Sequence, residues 1–194
     1  IRDVIKEITV DLNEIPDHTG TSKGSRFRKS YFSYDKIGDS RFYESISDKL
    51  VVEINSFANP FPHEEREILS LRSTLLATDN QNDLIKKYDL LPFRINVLKK
   101  EHTMLEKIVS LFRFSFEPDP VDGVSDKIRH FYDLHFLLAD RNCKAFIDSD
   151  SFVDQFNTIW DHDQVAFNEP AGWKNKKVSE SPLCMNPKEI WLSA

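Results

Sequence analysis

A chain of 194 residues, 40% apolar and 30% charged with 15 Phe, holds enough bulky material for one substantial core, or for a smaller core with an appended subdomain, and its composition excludes a disordered chain. It contains no uninterrupted apolar run of about 18 residues, which excludes a membrane-spanning helix. The formal charge of −6 argues against a broadly basic nucleic-acid-binding surface and leaves only local patches, Arg26-Phe27-Arg28-Lys29 and Lys174-Asn175-Lys176-Lys177.

Cys143 and Cys184 stand far apart, with no Cys-x-x-Cys or Cys/His ligand spacing around either, so a reducing cytoplasm is the expected compartment. The opening run Ile1-Arg2-Asp3-Val4-Ile5-Lys6-Glu7 is neither a signal peptide nor a start, and the chain is expected to be a fragment of a longer protein.

In chain order, Val4, Ile5, Ile8 and Leu12 recur at helical spacing and predict an opening helix over residues 1–12. The Gly/Ser/Thr cluster from His18 to Ser25 reads as a loop. From Arg26 to Ser56 the period changes to two. Strands are expected at Phe27–Phe32, Arg41–Ile46 and Lys49–Phe57, the first two separated by a Gly38-Asp39 turn, in an antiparallel meander. Glu53 falls mid-strand among apolar neighbours. Glu64–Ala77 reads as a helix or a mixed segment, Leu84, Ile85 and Tyr88 suggest a short helix, and Phe93–Leu98 reads as a further strand with Phe93, Ile95 and Val97 on one face.

After His102 the pattern is helical. Met104, Leu105, Ile108, Val109 and Phe112 make an apolar stripe, and Thr103 with Glu106 forms a capping-box pattern. Glu117-Pro118-Asp119-Pro120 forces a break, and Ser125 is expected to cap the next helix. There Ile128, Phe131, Tyr132, His135 and Leu138 are expected to face inward. A helix is expected over Ser151–Trp160, followed by an irregular tail onto which Ile190-Trp191-Leu192 docks.

Several charged residues sit among apolar ones, where an ionised group needs a partner or a use. Lys107 lies at the edge of its helix's apolar stripe, so it is either a lysine whose ammonium reaches a cleft or an ordinary snorkelling surface lysine. Arg129 and Asp133, at i,i+4, are expected to form an ion pair. Glu53 is either a solvent-facing strand residue or a hard-oxygen metal ligand. Gly24-Ser25-Arg26 lacks the following lysine of a phosphate loop, and Asp148-Ser149-Asp150 and Asp161-His162-Asp163 fall where helix ends are expected, so capping accounts for them. The six His make neither His-Glu-x-x-His nor His-x-x-x-His, and no Gly-x-Ser-x-Gly is present, so zinc and serine hydrolase readings fail.

Leu50-Val51-Val52-Glu53-Ile54-Asn55, the strand Phe93–Leu98, Thr103-Met104-Leu105-Glu106-Lys107 and Arg129-His130-Phe131-Tyr132-Asp133-Leu134 come in an order that resembles the AbiEii/AbiGii nucleotidyltransferase toxin family of type IV toxin–antitoxin and phage-resistance systems. The resemblance spans roughly residues 25–140. It implies a polymerase-β-like nucleotidyltransferase core, a nucleoside triphosphate and Mg²⁺ as cofactors, an RNA as acceptor and an antitoxin as partner. It further implies Lys107 and Arg129 as nucleotide-binding residues, Asp133 and Glu53 as catalytic residues, and Glu53 as a metal ligand. The family's Gly-Ser turn followed by Asp-x-Asp has no counterpart: Gly24-Ser25 leads only to Asp35 and Asp39.

The expected fold is α+β, with a partial antiparallel or mixed nucleotidyltransferase sheet over residues 1–100 and a helical domain over 101–194. The expected function is that of the C-terminal portion of a toxin-type nucleotidyltransferase, inactive by itself. The alternative is a non-catalytic module of the same fold that binds an antitoxin or another protein.

Overall fold

The computed structural model describes residues 7, 12–16, 18–24, 26–35, 47–56 and 62–193, the last three as backbone only. The fold is α+β, with antiparallel sheets and a helical C-terminal half. The expected opening helix lies almost wholly outside the described residues, as do the Gly38-Asp39 turn, the Arg41–Ile46 strand and Ser25. The chain divides into two compact units, Ile1–Asn59 and Pro60–Ala194.

In the first unit β3 (Phe27–Ser33) is the central strand. Along one edge it pairs with the two-residue strands β1 (Asn13–Glu14) and β2 (Ser22–Lys23), and along the other with β4 (Lys49–Asn55), all antiparallel. Ser30 and Phe32 are buried on one face of β3. On the other face Tyr31 stacks on His18, ring centroids 3.7 Å apart. The β3–β4 register sets Lys29 directly opposite Glu53.

The second unit opens with a hairpin of β5 (His63–Ile68) and β6 (Phe93–Leu98), paired antiparallel over all six positions. A partial antiparallel or mixed sheet was expected over residues 1–100, and the described strands form two antiparallel sheets, one in each unit. Of the two readings of Glu64–Ala77, a helix or a mixed segment, the second holds: it is a strand to Ile68, where complete pairing with β6 overrides the helical preference of its Glu and Arg residues, and helical from Leu71. Helix α1 (Leu71–Thr78) is capped by Ser70, whose side chain accepts from the Ser73 N–H, and α2 (Asn82–Lys87) buries Ile85.

Helix α3 (Lys100–Phe114) is the axis of this unit. It starts three residues before the expected Thr103 cap, which leaves Thr103 inside the helix with its N–H on the Lys99 carbonyl. Its stripe is buried as the periodicity predicts, with Met104, Leu105 and Val109 fully enclosed. Two clusters meet on it. Met104 and Leu111 pack with Val124, Leu134, Cys143, Leu183 and Ile190, while Leu105 and Val109 pack with Phe156, Ile159, Trp160 and Trp173. The docking of Ile190 from the terminal helix is thereby borne out.

The helix that carries Ile128, expected to be capped by Ser125, has Lys127 at its N-terminal flank instead; a short helix comes first, and it is started by Asp119. Its carboxylate accepts from the Val121 and Asp122 N–H groups to cap α4 (Pro120–Ser125), with Pro120 in the first turn. Helix α5 (Ile128–Ala139) packs on α3 through Phe131, Leu134 and Leu137. The inward face expected from Ile128, Tyr132, His135 and Leu138 is exposed instead, because α5 is apolar on two faces and periodicity alone does not say which one meets α3. Asp140 caps α6 (Arg141–Ile147) and also receives Lys100 Nζ at 2.6 Å. Helix α7 (Ser151–Ala166) runs six residues beyond the expected end, so Asp161-His162-Asp163 is interior to a helix rather than at its end.

Candidate functional site: a lysine–aspartate pair between two helices

Lys107 is placed by its neighbours. With Met104, Leu105 and Val109 sealed in the core, position 107 is rotated to the rim of α3 facing α5, where its side chain keeps 20% exposure and its stem runs along the apolar surface. The ammonium meets Asp133 Oδ2 at 2.6 Å. The bond from Lys107 holds the Asp133 carboxyl below its ordinary range. Asp133 thus has the partner its apolar surroundings require, but that partner is Lys107 and not Arg129. Arg129 is exposed one turn earlier on α5 and enters no ion pair among the described residues.

Two neighbours that the sequence did not single out belong to the same corner. His130 is half-buried in the first turn of α5. Its Nδ1 is buried with no hydrogen-bond partner. Its pKa is pushed down from the ordinary 6.5, first by burial, then by the charges of Lys107 and Lys127, with Asp133 acting in the opposite sense and Arg113 in the same one. Lys127 lies with Nζ 3.6 Å from the centre of the Phe114 ring. The spacing His130-x-x-Asp133 was the available signal, since residues three apart share a helix face. Lys107, Lys127 and Arg113 act on the His130 ring with positive charge and Asp133 opposes them; Lys107 is paired with Asp133 and Arg113 with Asp163.

Glu53 lies in the other unit. It is half exposed, and Lys29 Nζ sits 2.6 Å from its Oε1 across the β3–β4 ladder. No three His, Cys, Asp or Glu side chains among the described residues gather to hold a metal ion. The described residues therefore do not assemble the metal site that the resemblance implies.

A lysine held at a helix rim by one exposed carboxylate can offer its ammonium to a polyanionic group such as a nucleotide's phosphates. The family described as nucleotidyl transferase AbiEii toxin, type IV toxin–antitoxin system, matches residues 1–186, and the chain belongs to it. Membership implies a nucleotide substrate and an antitoxin partner. No curated protein and no solved structure matches the chain. No helix among the described residues is long and apolar enough to cross a membrane.

Proposed function

We propose that the protein transfers a nucleotide from a nucleoside triphosphate to an RNA acceptor, and that Lys107 is the residue that contacts the nucleotide's phosphates. The observation that carries the reading is the Lys107–Asp133 contact at 2.6 Å between α3 and α5, in a chain of a nucleotidyltransferase family. Transfer of this type is governed by positioning and by neutralisation of phosphate charge. Lys107 supplies a fixed positive charge whose stem is immobilised by the core, so little side-chain freedom remains to be lost on binding. Asp133 is a positioning residue: it holds the ammonium at the helix rim in the absence of ligand. Arg129, exposed and free of an ion pair among the described residues, adds a second cation on α5, the helix that carries Asp133.

The test uses the intact protein with labelled nucleoside triphosphates, Mg²⁺ and total RNA. Wild type labels an RNA, and Lys107→Ala abolishes the labelling while the helical unit stays folded by circular dichroism. Undiminished labelling in Lys107→Ala removes Lys107 from this role. Labelling of protein in place of RNA overturns the acceptor.

A further inference from the structure

Among the described residues, the buried Nδ1 of His130 has no hydrogen-bond partner, and neither does the Nε of Arg113 behind it. A buried N–H without an acceptor is rarer and costlier than a buried lone pair without a donor. The proton of a neutral imidazole therefore belongs on Nε2, with the bare lone pair of Nδ1 turned into the protein. Protonation of both nitrogens would bury an unmatched N–H beside Lys107, Lys127 and Arg113, which the downward shift of its pKa also opposes. What the ring offers is a neutral Nε2–H donor one helical turn from the carboxylate that holds Lys107.

We propose that His130 is a phosphate-binding residue, whose Nε2–H donates to the same phosphate group that Lys107 contacts. The inference rests on the phosphate-contacting role of Lys107 given above. It assigns the histidine as a donor and not as the base that activates the acceptor hydroxyl. A base would need its lone pair on Nε2, and so an orphaned N–H at Nδ1. Lys107 and His130 then divide the work: the ammonium matches charge, and the imidazole fixes direction without adding a charge that Lys107 and Lys127 would repel.

The test reads binding, using inorganic triphosphate as probe, titrated calorimetrically into the intact protein and four variants. Glutamine places an amide N–H near the position of Nε2; asparagine reaches only as far as Nδ1; phenylalanine keeps the ring and loses both nitrogens. The expected result is that His130→Phe and His130→Asn each weaken binding about tenfold or more, the scale of one hydrogen bond to a charged group, while His130→Gln stays within about threefold of wild type. Because Nδ1 makes no bond to lose, His130→Phe is expected to keep its thermal midpoint, a combination that a purely structural histidine would not produce.

Binding by His130→Phe or His130→Asn as tight as wild type overturns the proposal, and so does a loss in His130→Gln equal to that in His130→Phe. The fourth variant, Lys107→Ala, separates the two levels of inference. If it weakens binding while His130→Phe does not, only the role of His130 falls. If neither weakens it, or if wild type binds no triphosphate, the site itself has been misassigned.

Discussion

Removing Asp163 should unsettle the helix that carries Lys107. Arg113, two turns beyond Lys107 on α3, is buried and reaches Asp163 on α7 at 3.3 Å, the two side chains keeping 10% and 13% exposure. Its guanidinium carbon lies 4.1 Å from the centre of the Phe167 ring and 5.6 Å from that of Trp173, and its Nε has no partner. Burial lowers the pKa of Arg113 and raises that of Asp163, so for each group desolvation outweighs the attraction of the other. Such a pair adds little over an apolar substitute, yet breaking it by half strands a charge, at a cost of about 3–5 kcal/mol. The contact is long for a charge-assisted bond, so the lower end applies, about 3 kcal/mol for Asp163→Ala. For a chain of this size that corresponds to a fall of roughly 6–12 °C in the melting midpoint. Urea unfolding followed by tryptophan fluorescence suits the measurement, because Trp160 and Trp173 belong to the adjoining cluster. The double variant Arg113→Met with Asp163→Leu should recover most of the loss. A loss below about 1 kcal/mol, or a double variant as unstable as Asp163→Ala, would refute the reasoning.

Two further outcomes test the same unit. The folded-state pKa of His130 lies below the ordinary 6.5, so the unfolded chain binds the proton more readily. The stability associated with its neutral ring is complete above 6.5 and is lost as pH falls through the folded value. Urea titrations at about pH 7.5 and about pH 5 should show a smaller acid loss in His130→Phe than in wild type, and equal losses would contradict the shift. The groups acting on this ring are Lys107 and Arg113 on α3, and Lys127 and Asp133 at and along α5. Gly123→Ala would place a methyl 2.2 Å from the Phe114 carbonyl oxygen and 2.8 Å from Glu117 Cγ. Because the nearer atom is backbone, α4 must move off the end of α3, and a loss of about 1–3 kcal/mol in urea unfolding is expected.

The parts of the fold legible in the sequence are those where one physical signal acts alone. The stripe of α3 is apolar on a single face, so its buried residues follow from spacing. Helix α5 is apolar on two faces, and only the shape of its neighbour decides between Phe131-Leu134-Leu137 and Ile128-Tyr132-Phe136. β5 is hidden by Glu and Arg residues whose preference yields to a partner strand nearly thirty residues away in sequence, as with Glu65 and Arg94 at a separation of 29. The ion pairs show the same limit. Arg129 and Asp133 invite pairing because i,i+4 is the spacing a sequence displays. Lys107 reaches Asp133, and Arg113 reaches Asp163 over a separation of 50, through the crossing of helices, which no local pattern records.

That crossing explains why the residues singled out for chemistry include two that meet. Helix α3 is tied by Lys100 to Asp140, by Lys107 to Asp133 and by Arg113 to Asp163, near its start, its middle and its end. The outer two ties close helix packing. Asp140 also caps a helix, and Asp163 is buried against Arg113, so neither can be released without disturbing the core. The middle tie differs: Asp133 is 42% exposed, and its release disturbs no helix cap. On the role proposed for Lys107, an incoming phosphate would compete with Asp133 for its ammonium, while the flanking ties keep the backbone that carries it in place. The Lys107→Ala and Asp133→Ala variants should consequently differ in kind. The first removes the charge and abolishes binding of triphosphate. The second frees the ammonium and retains binding, with loss of the geometry that transfer requires.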